Sequence, residues 1–333
     1  MFTQTIKELE DLYKQGIIPG ISYRLYSPET VYSHVDGWKQ TEPAPIPLDA
    51  AISYRYDIAS LTKVIATTTR MLQLLETKRV HLHDTVSTYL PEFRFPDVTL
   101  SQLLTHSSGL AKNIPGYTIE TPAAVKQYCY DTPLQSEPGS KVAYADVNFL
   151  LLGFIIEQLD GDFAASIQAN VIDPLGLKET GFAPIAADVA IPTEWTRDRG
   201  LIQGEVHDYK AWRNGGAAGH AGLFSSLTDL GRFVHCLLFD SGKPLFQTTD
   251  WQRLISTKQT PSGVFDRAIG WDLIATGDHY ASYHTGFTGT FIIIDFIKQT
   301  ALIALSNRVH PTRNNPAFLE ARNHIVTTFL SES

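Results

Sequence analysis

The sequence predicts an α/β (α+β) fold: one antiparallel sheet flanked by N- and C-terminal helices, with a mostly helical domain inserted into it. Three observations predict it. Strand-like text lies near both ends of the chain, at Gly20–Tyr26 and 30–37 and again at 289–296 and Thr300–Ser306. Helix-and-loop text fills the stretch between, and a helical segment stands at each terminus. The chain therefore divides into a discontinuous sheet domain, 1–60 and 266–333, and a mostly helical domain with long loops, 61–265.

The opening MFTQTIKELEDLYKQG is a charged amphipathic helix. It has no apolar h-region, so it is not a signal peptide, and a cytoplasmic location is expected. Next, Gly20-Ile-Ser-Tyr-Arg-Leu-Tyr26 alternates apolar and polar residues as a half-buried strand does. Residues 30–37 read similarly, with Asp36-Gly37 as a turn signal, and the two runs make a hairpin. Proline-rich text at 42–49 leads into the segment entering Ser60. From Leu61 to about Leu75 the period is helical, with Val64, Met71, Leu72, Leu74 and Leu75 on one buried stripe. A short helix at 99–104 ends in His106-Ser-Ser-Gly109, and a longer one at 146–161 closes on Gly161. Residues 184–222, rich in glycine, proline and charge without a period, read as long surface loops. The β-branched runs at 289–296 and 300–306 are strands, and 318–330 closes the chain as a helix.

Composition removes several classes of function. At 43% hydrophobic and 19% charged residues the chain is too apolar for disorder. A net charge of -8 lacks the basic footprint that nucleic acid requires. Cys129 and Cys236 are its only cysteines and lie in no CxxC, so neither a disulfide framework nor a cysteine zinc site is expected. No run reaches the ~18 apolar residues of a membrane span.

Three short stretches carry chemistry. In DIASLTKV, at 57–64, Ser60 and Lys63 stand three residues apart, on one face of a starting helix. Unpaired N–H groups at such a start favour a developing oxyanion, and a lysine can act as base for a serine if its pKa is lowered. Taken alone, Ser60 reads equally as a helix cap. Tyr144, in VAYADVNF at 142–149, can act as a base beside an ammonium, or can be a core aromatic. In YHTGFTG, at 283–289, Thr285 can hydrogen-bond a carbonyl or carboxylate. Gly286 there lets a ligand approach the backbone, and the Phe287 N–H can complete an oxyanion hole with that of Ser60.

SxxK, then a tyrosine motif, then a (K/H)TG strand resembles the serine β-lactamase and penicillin-binding protein superfamily. The match is to its class C β-lactamase-like branch of DD-peptidases and esterases. LLTHSSGL at 103–110 and NFLLLGFIIE at 148–157 look like framework segments of that branch. GEVHD at 204–208, GHAGLF at 219–224 and SNRVHP at 306–311 resemble a subgroup of it. The resemblance implies an active site between the two domains and no cofactor. It makes Ser60 the acylated nucleophile, Lys63 its activating partner and Tyr144 the general base. His284 and Thr285 would face the substrate's carboxylate end, and Ser60 and Phe287 would hold the oxyanion.

Two positions depart from the family pattern. Asp146 stands where asparagine is usual, and a carboxylate accepts where an amide donates. It would attract Lys63 or a substrate ammonium; paired with Lys63, it leaves the base role to Tyr144. His284 stands where β-lactamases have lysine, a weak anchor for a carboxylate near neutrality. Both point to D-aminoacyl esters or amides, D-peptides or small esters, with β-lactams as covalent ligands that are hydrolysed weakly. The second class of function that fits is a catalytically weak penicillin-binding or sensor protein that binds peptidoglycan-like ligands. His207, Asp208, His220 and Glu205 match no metal-binding spacing, so no metal is expected. The glycine-rich 215–222 lacks a GK[ST] ending and reads as a tight loop near the site, and His106 reads as structural. No GxSxG elbow is present.

Overall fold

The computed structural model describes residues 2–333; Met1, the first residue of the expected N-terminal helix, lies outside them. The main sheet has strands β1 (Gly20–Tyr26), β2 (Val31–Gln40), β3 (Ile46–Pro47), β4 (Asp272–Thr276), β5 (His279–Thr285), β6 (Phe291–Asp295) and β7 (Thr300–Ser306). Their order is β3-β2-β1-β7-β6-β5-β4, so the two ends of the chain meet where β1 pairs antiparallel with β7, from Ile21↔Ser306 to Tyr26↔Ala301.

Both faces of this sheet are covered, which is why β6 and β7 read as continuous apolar runs rather than alternations. Ile293, Leu302 and Ala304 pack with Leu9 and Leu12 of the helix Thr3–Lys14 and with Phe318, Ile325 and Phe329 of the helix Pro316–Glu332. Ile292, Ile294, Ile303 and Leu305 point the other way, into the core of the middle of the chain. The helix Asp146–Asp160 runs through that core, and Val147 to Ile156 are all buried. It ends at Gly161, whose φ of 99° suits a residue without a Cβ.

Three expectations change. Asp36-Gly37 is not a turn: Gly37 pairs with Gly20 inside β2, and the hairpin reverses at Ser27, whose N–H donates to the Thr30 carbonyl at 2.9 Å. Gly37 is needed because a Cβ there would stand 2.5 Å from the Pro19 carbonyl oxygen. The helix after Ser60 begins as a π-helical turn, Lys63–Thr68, before the α-helix Thr69–Glu76, and it is buried on every side rather than along a stripe. Residues 184–222 are loops around the short helix Tyr209–Arg213, but Ile191, Ile202, Val206, Ala211 and Ala218 in them are buried. One side of these loops is thus turned inward, while Trp195 and Tyr209 stay at the surface. Among the described residues no helix is long and apolar enough to cross a membrane.

Candidate active site

Ser60 sits where three chain segments converge. Ala59 before it has φ 47°, a left-handed conformation held by the Asp57 carboxylate, which accepts from the Ala59 N–H at 2.8 Å and the His207 N–H at 2.7 Å. Asp57 is buried, and burial pushes its carboxyl pKa up. The 286–290 loop is tied to the same stretch. Thr288 Oγ1 donates to the Asp57 carbonyl at 2.7 Å and Thr290 Oγ1 to the Ile58 carbonyl at 3.1 Å. Among the described residues the backbone N–H groups of Ser60 and Phe287 donate to no protein acceptor, so both remain available to an oxyanion.

Lys63 is fully buried, and its ammonium has three acceptors for its three protons. It donates to Ser60 Oγ at 2.8 Å, to Asp146 Oδ1 at 3.0 Å and to the His220 carbonyl at 3.1 Å. Burial alone would lower its pKa, but the Asp146 charge and then Tyr144 outweigh burial, and the pKa is raised. Tyr144, 36% exposed, lies with its ring centroid 5.0 Å from Nζ. The ring also packs tilted against His106, centroids 4.4 Å apart. His106 Nδ1 accepts from the Ala145 N–H at 3.2 Å, and burial holds its pKa far down.

His284 comes to the site from β5. Opposite Ile292, it shares the sheet face that looks into the middle of the chain. Its Nδ1–H donates to the Thr285 carbonyl at 3.0 Å, and among the described residues Nε2 is buried without a partner. Burial, then the charges of Lys63 and Arg267, hold its pKa well below the usual value, so the imidazole is neutral. Thr285, half-buried, ends the strand. Gly286 has no room for a side chain: a Cβ would stand 2.1 Å from Thr290 Oγ1 and 2.5 Å from the Ile58 carbonyl oxygen. Phe287 is 46% exposed and stacks on His207, centroids 5.6 Å apart. His207 is held in turn by Glu194, 3.0 Å away.

Four further contributors had no role assigned from sequence, and two of them, Lys210 and Arg267, were not singled out at all. Lys210 lies 3.4 Å from Asp146 Oδ2, giving that carboxylate a second cation. Asp208 caps the helix Tyr209–Arg213 through the Ala211 N–H at 2.9 Å and pairs with His220 Nε2 at 2.8 Å. The glycine-rich loop supplies the His220 carbonyl. A Cβ on Gly219 would stand 2.1 Å from the Phe149 carbonyl oxygen, so glycine there lets the loop reach Lys63. Arg267, buried and paired with Asp272, places its guanidinium carbon 6.0 Å from the Tyr144 ring centroid. The family-like segments at 204–208 and 219–224 flagged the Asp208 and His220 region; nothing in the sequence marked Arg267. Ligand atoms of Asp146, Asp208 and His220 lie within 4.8 Å of one another, but Lys63 and Lys210 already put two ammonium groups on Asp146.

Comparisons with known proteins bear on the family and the fold. A family model described as Beta-lactamase matches residues 3–324. A Salmonella agona protein provisionally named a D-alanyl-D-alanine carboxypeptidase is 30% identical over 319 residues, covering 81% of this chain and 73% of that one. The fold matches that of EstCE1, a hydrolase with promiscuous acyltransferase activity, at TM-score 0.75 and 20% identity, covering 97% of each chain. It matches the D-amino acid amidase of Ochrobactrum anthropi SV3 at TM-score 0.75 and 17% identity, covering 99% of this chain and 98% of that one.

Proposed function

The chain belongs to the Beta-lactamase family of serine hydrolases, and we propose that it cleaves D-aminoacyl esters or amides, D-peptides or small esters through an acyl-Ser60 intermediate, with β-lactam hydrolysis weak. The observation that carries this reading is the buried Lys63 ammonium, bonded at once to Ser60 Oγ and Asp146. A lysine held charged in this way orients and polarises the nucleophile rather than deprotonating it.

Tyr144, as general base, takes the Ser60 proton while Oγ attacks the substrate carbonyl. The Ser60 and Phe287 N–H groups receive the oxyanion. The tetrahedral adduct collapses, and the leaving alcohol or amine takes the proton from Tyr144. Water then gives a proton to Tyr144 and attacks the ester carbonyl; Ser60 departs and recovers that proton.

The preference for a free amine rests on Asp146. Its side chain stays 27% exposed, and among the described residues Oδ2 has only a 3.4 Å contact to Lys210, so lone pairs remain for a substrate ammonium. The D-amino acid amidase that shares this fold is seen in complex with D-phenylalanine, a ligand that carries such an ammonium. The test compares kcat/KM for D-alanyl esters and for cephalosporins, with the mass of the acyl-enzyme recorded in the wild type and in Ser60→Ala. A Ser60-dependent adduct and faster ester turnover are expected. A clear cephalosporin preference sinks the substrate assignment. Absence of any Ser60-dependent adduct leaves the penicillin-binding or sensor reading.

A further inference from the structure

Behind the wall that carries Phe287 lies a groove of about 650 Å³. It runs between the end of the N-terminal helix, β2 and the segment after β7. Tyr13, Trp38, Thr41, Arg308 and His310 contribute to its lining, and among the described residues no acidic one does.

Among the described residues three arginines are buried: Arg70, Arg267 and Arg308. Arg70 has Asp160 at 2.8 Å, and Arg267 is paired with Asp272. Arg308, only 5% exposed, has no carboxylate partner among the described residues. Its Nε donates to the Phe287 carbonyl at 2.9 Å, and its guanidinium carbon lies 4.8 Å from the Phe287 ring centroid. Its terminal nitrogens, among the described residues, find no protein acceptor. Among the described residues those nitrogens are free of protein partners yet not sealed from solvent, and a guanidinium fork so placed matches a carboxylate. Burial, then repulsion from Arg322 and Arg313, lower the Arg308 pKa; the Glu194 charge opposes this from a distance without contacting the guanidinium.

The rest of the lining narrows what that anion belongs to. His310 is neutral: its Nδ1–H donates to the Thr193 carbonyl at 2.9 Å, and Nε2 accepts from the Thr41 N–H at 3.0 Å. The Tyr13 hydroxyl is committed to Asp36 at 2.6 Å, which leaves its ring as an apolar surface. Trp38 is 45% exposed, an indole face open to a flat ligand.

We propose that this groove is a second binding site, for a small aryl carboxylate whose anion pairs with Arg308 and whose ring lies against Trp38. The site is separate from the catalytic one and does not depend on the hydrolase reading. It shares one group with it, because the guanidinium that faces the groove also fixes the Phe287 carbonyl.

Benzoate is the probe, titrated calorimetrically against the full chain, with neutral benzamide as control. Saturable benzoate binding is expected, with benzamide at least about tenfold weaker. Arg308→Gln and Trp38→Ala should each weaken benzoate by about tenfold or more. The tryptophan variant is needed because Arg308→Gln also loosens the Phe287 loop, whereas exposed Trp38 can change without that effect. No saturable binding, equal binding of benzamide, or retention of benzoate affinity in either variant overturns the proposal.

Discussion

Lys63 donates a hydrogen bond of 3.0 Å to Asp146 although no part of Lys63 reaches solvent. A solitary buried lysine gives up its proton readily. Here the carboxylate outweighs burial and raises the lysine pKa. Burial likewise pushes Asp146 up, yet Lys63, then His220 and Lys210, bring it far below the usual carboxylate range. The family's asparagine would supply neither effect.

Asp146→Asn should therefore lower the Lys63 pKa and move the alkaline limb of kcat/KM for ester hydrolysis to lower pH. Losing one partner of a buried pair costs roughly 3 kcal/mol, read from urea melts at pH 7.5. An alkaline limb that stays in place would show that Lys63 does not set it.

Much of this was legible in eight residues, 57–64, because a three-residue spacing puts Ser60 and Lys63 on one face whatever follows. The pairing of both chain ends was legible because β-branched runs such as Ile292 to Ile294 suit strands buried on both faces. The rest depends on contacts made through space. No spacing rule brings Lys210 to Asp146 or the His220 carbonyl to Lys63. A period of 3.6 does not distinguish an α-turn from the π-turn at Lys63–Thr68. Gly219 and Gly286 are required by neighbours far away in the chain, Phe149 and Ile58, so they read as loop punctuation until the fold is known.

Gly286→Ala tests the oxyanion hole. The new Cβ would collide with Thr290 Oγ1 and the Ile58 carbonyl, pushing the loop and the Phe287 N–H away from Ser60. A fall of about 100-fold in kcat with little change in KM is expected, the scale of losing one oxyanion donor. Unchanged kcat would remove Phe287 N–H from the mechanism.

His284 predicts indifference to a substrate carboxylate. Burial first, and the Lys63 and Arg267 charges next, keep the imidazole neutral well below its usual titration range. Between pH 6 and 8, kcat/KM for a D-alanyl-D-alanine peptide and for its C-terminal amide should agree within about threefold. A preference for the free carboxylate that grows as pH falls would show His284 protonating in the site.

Glu194 supports the active-site wall through His207, and its titration gives an acid signature. Burial pushes its pKa up, but hydrogen bonds from Arg313, with Nε 2.7 Å from Oε2, and from His207 outweigh burial and hold it at about 2, down from 4.5. The unfolded chain therefore binds this proton first as pH falls. The stabilisation is complete above pH 4.5 and is lost progressively down to about 2. Asp160, held at about 2 by Arg70, Ser166 and Arg79 against burial, adds a second proton in the same window. Unfolding free energy from urea titrations should decline across that range, and Glu194→Gln should make the decline shallower by the slope of about one proton. An identical slope in wild type and variant would mean that the Glu194–Arg313 pair does not couple to folding.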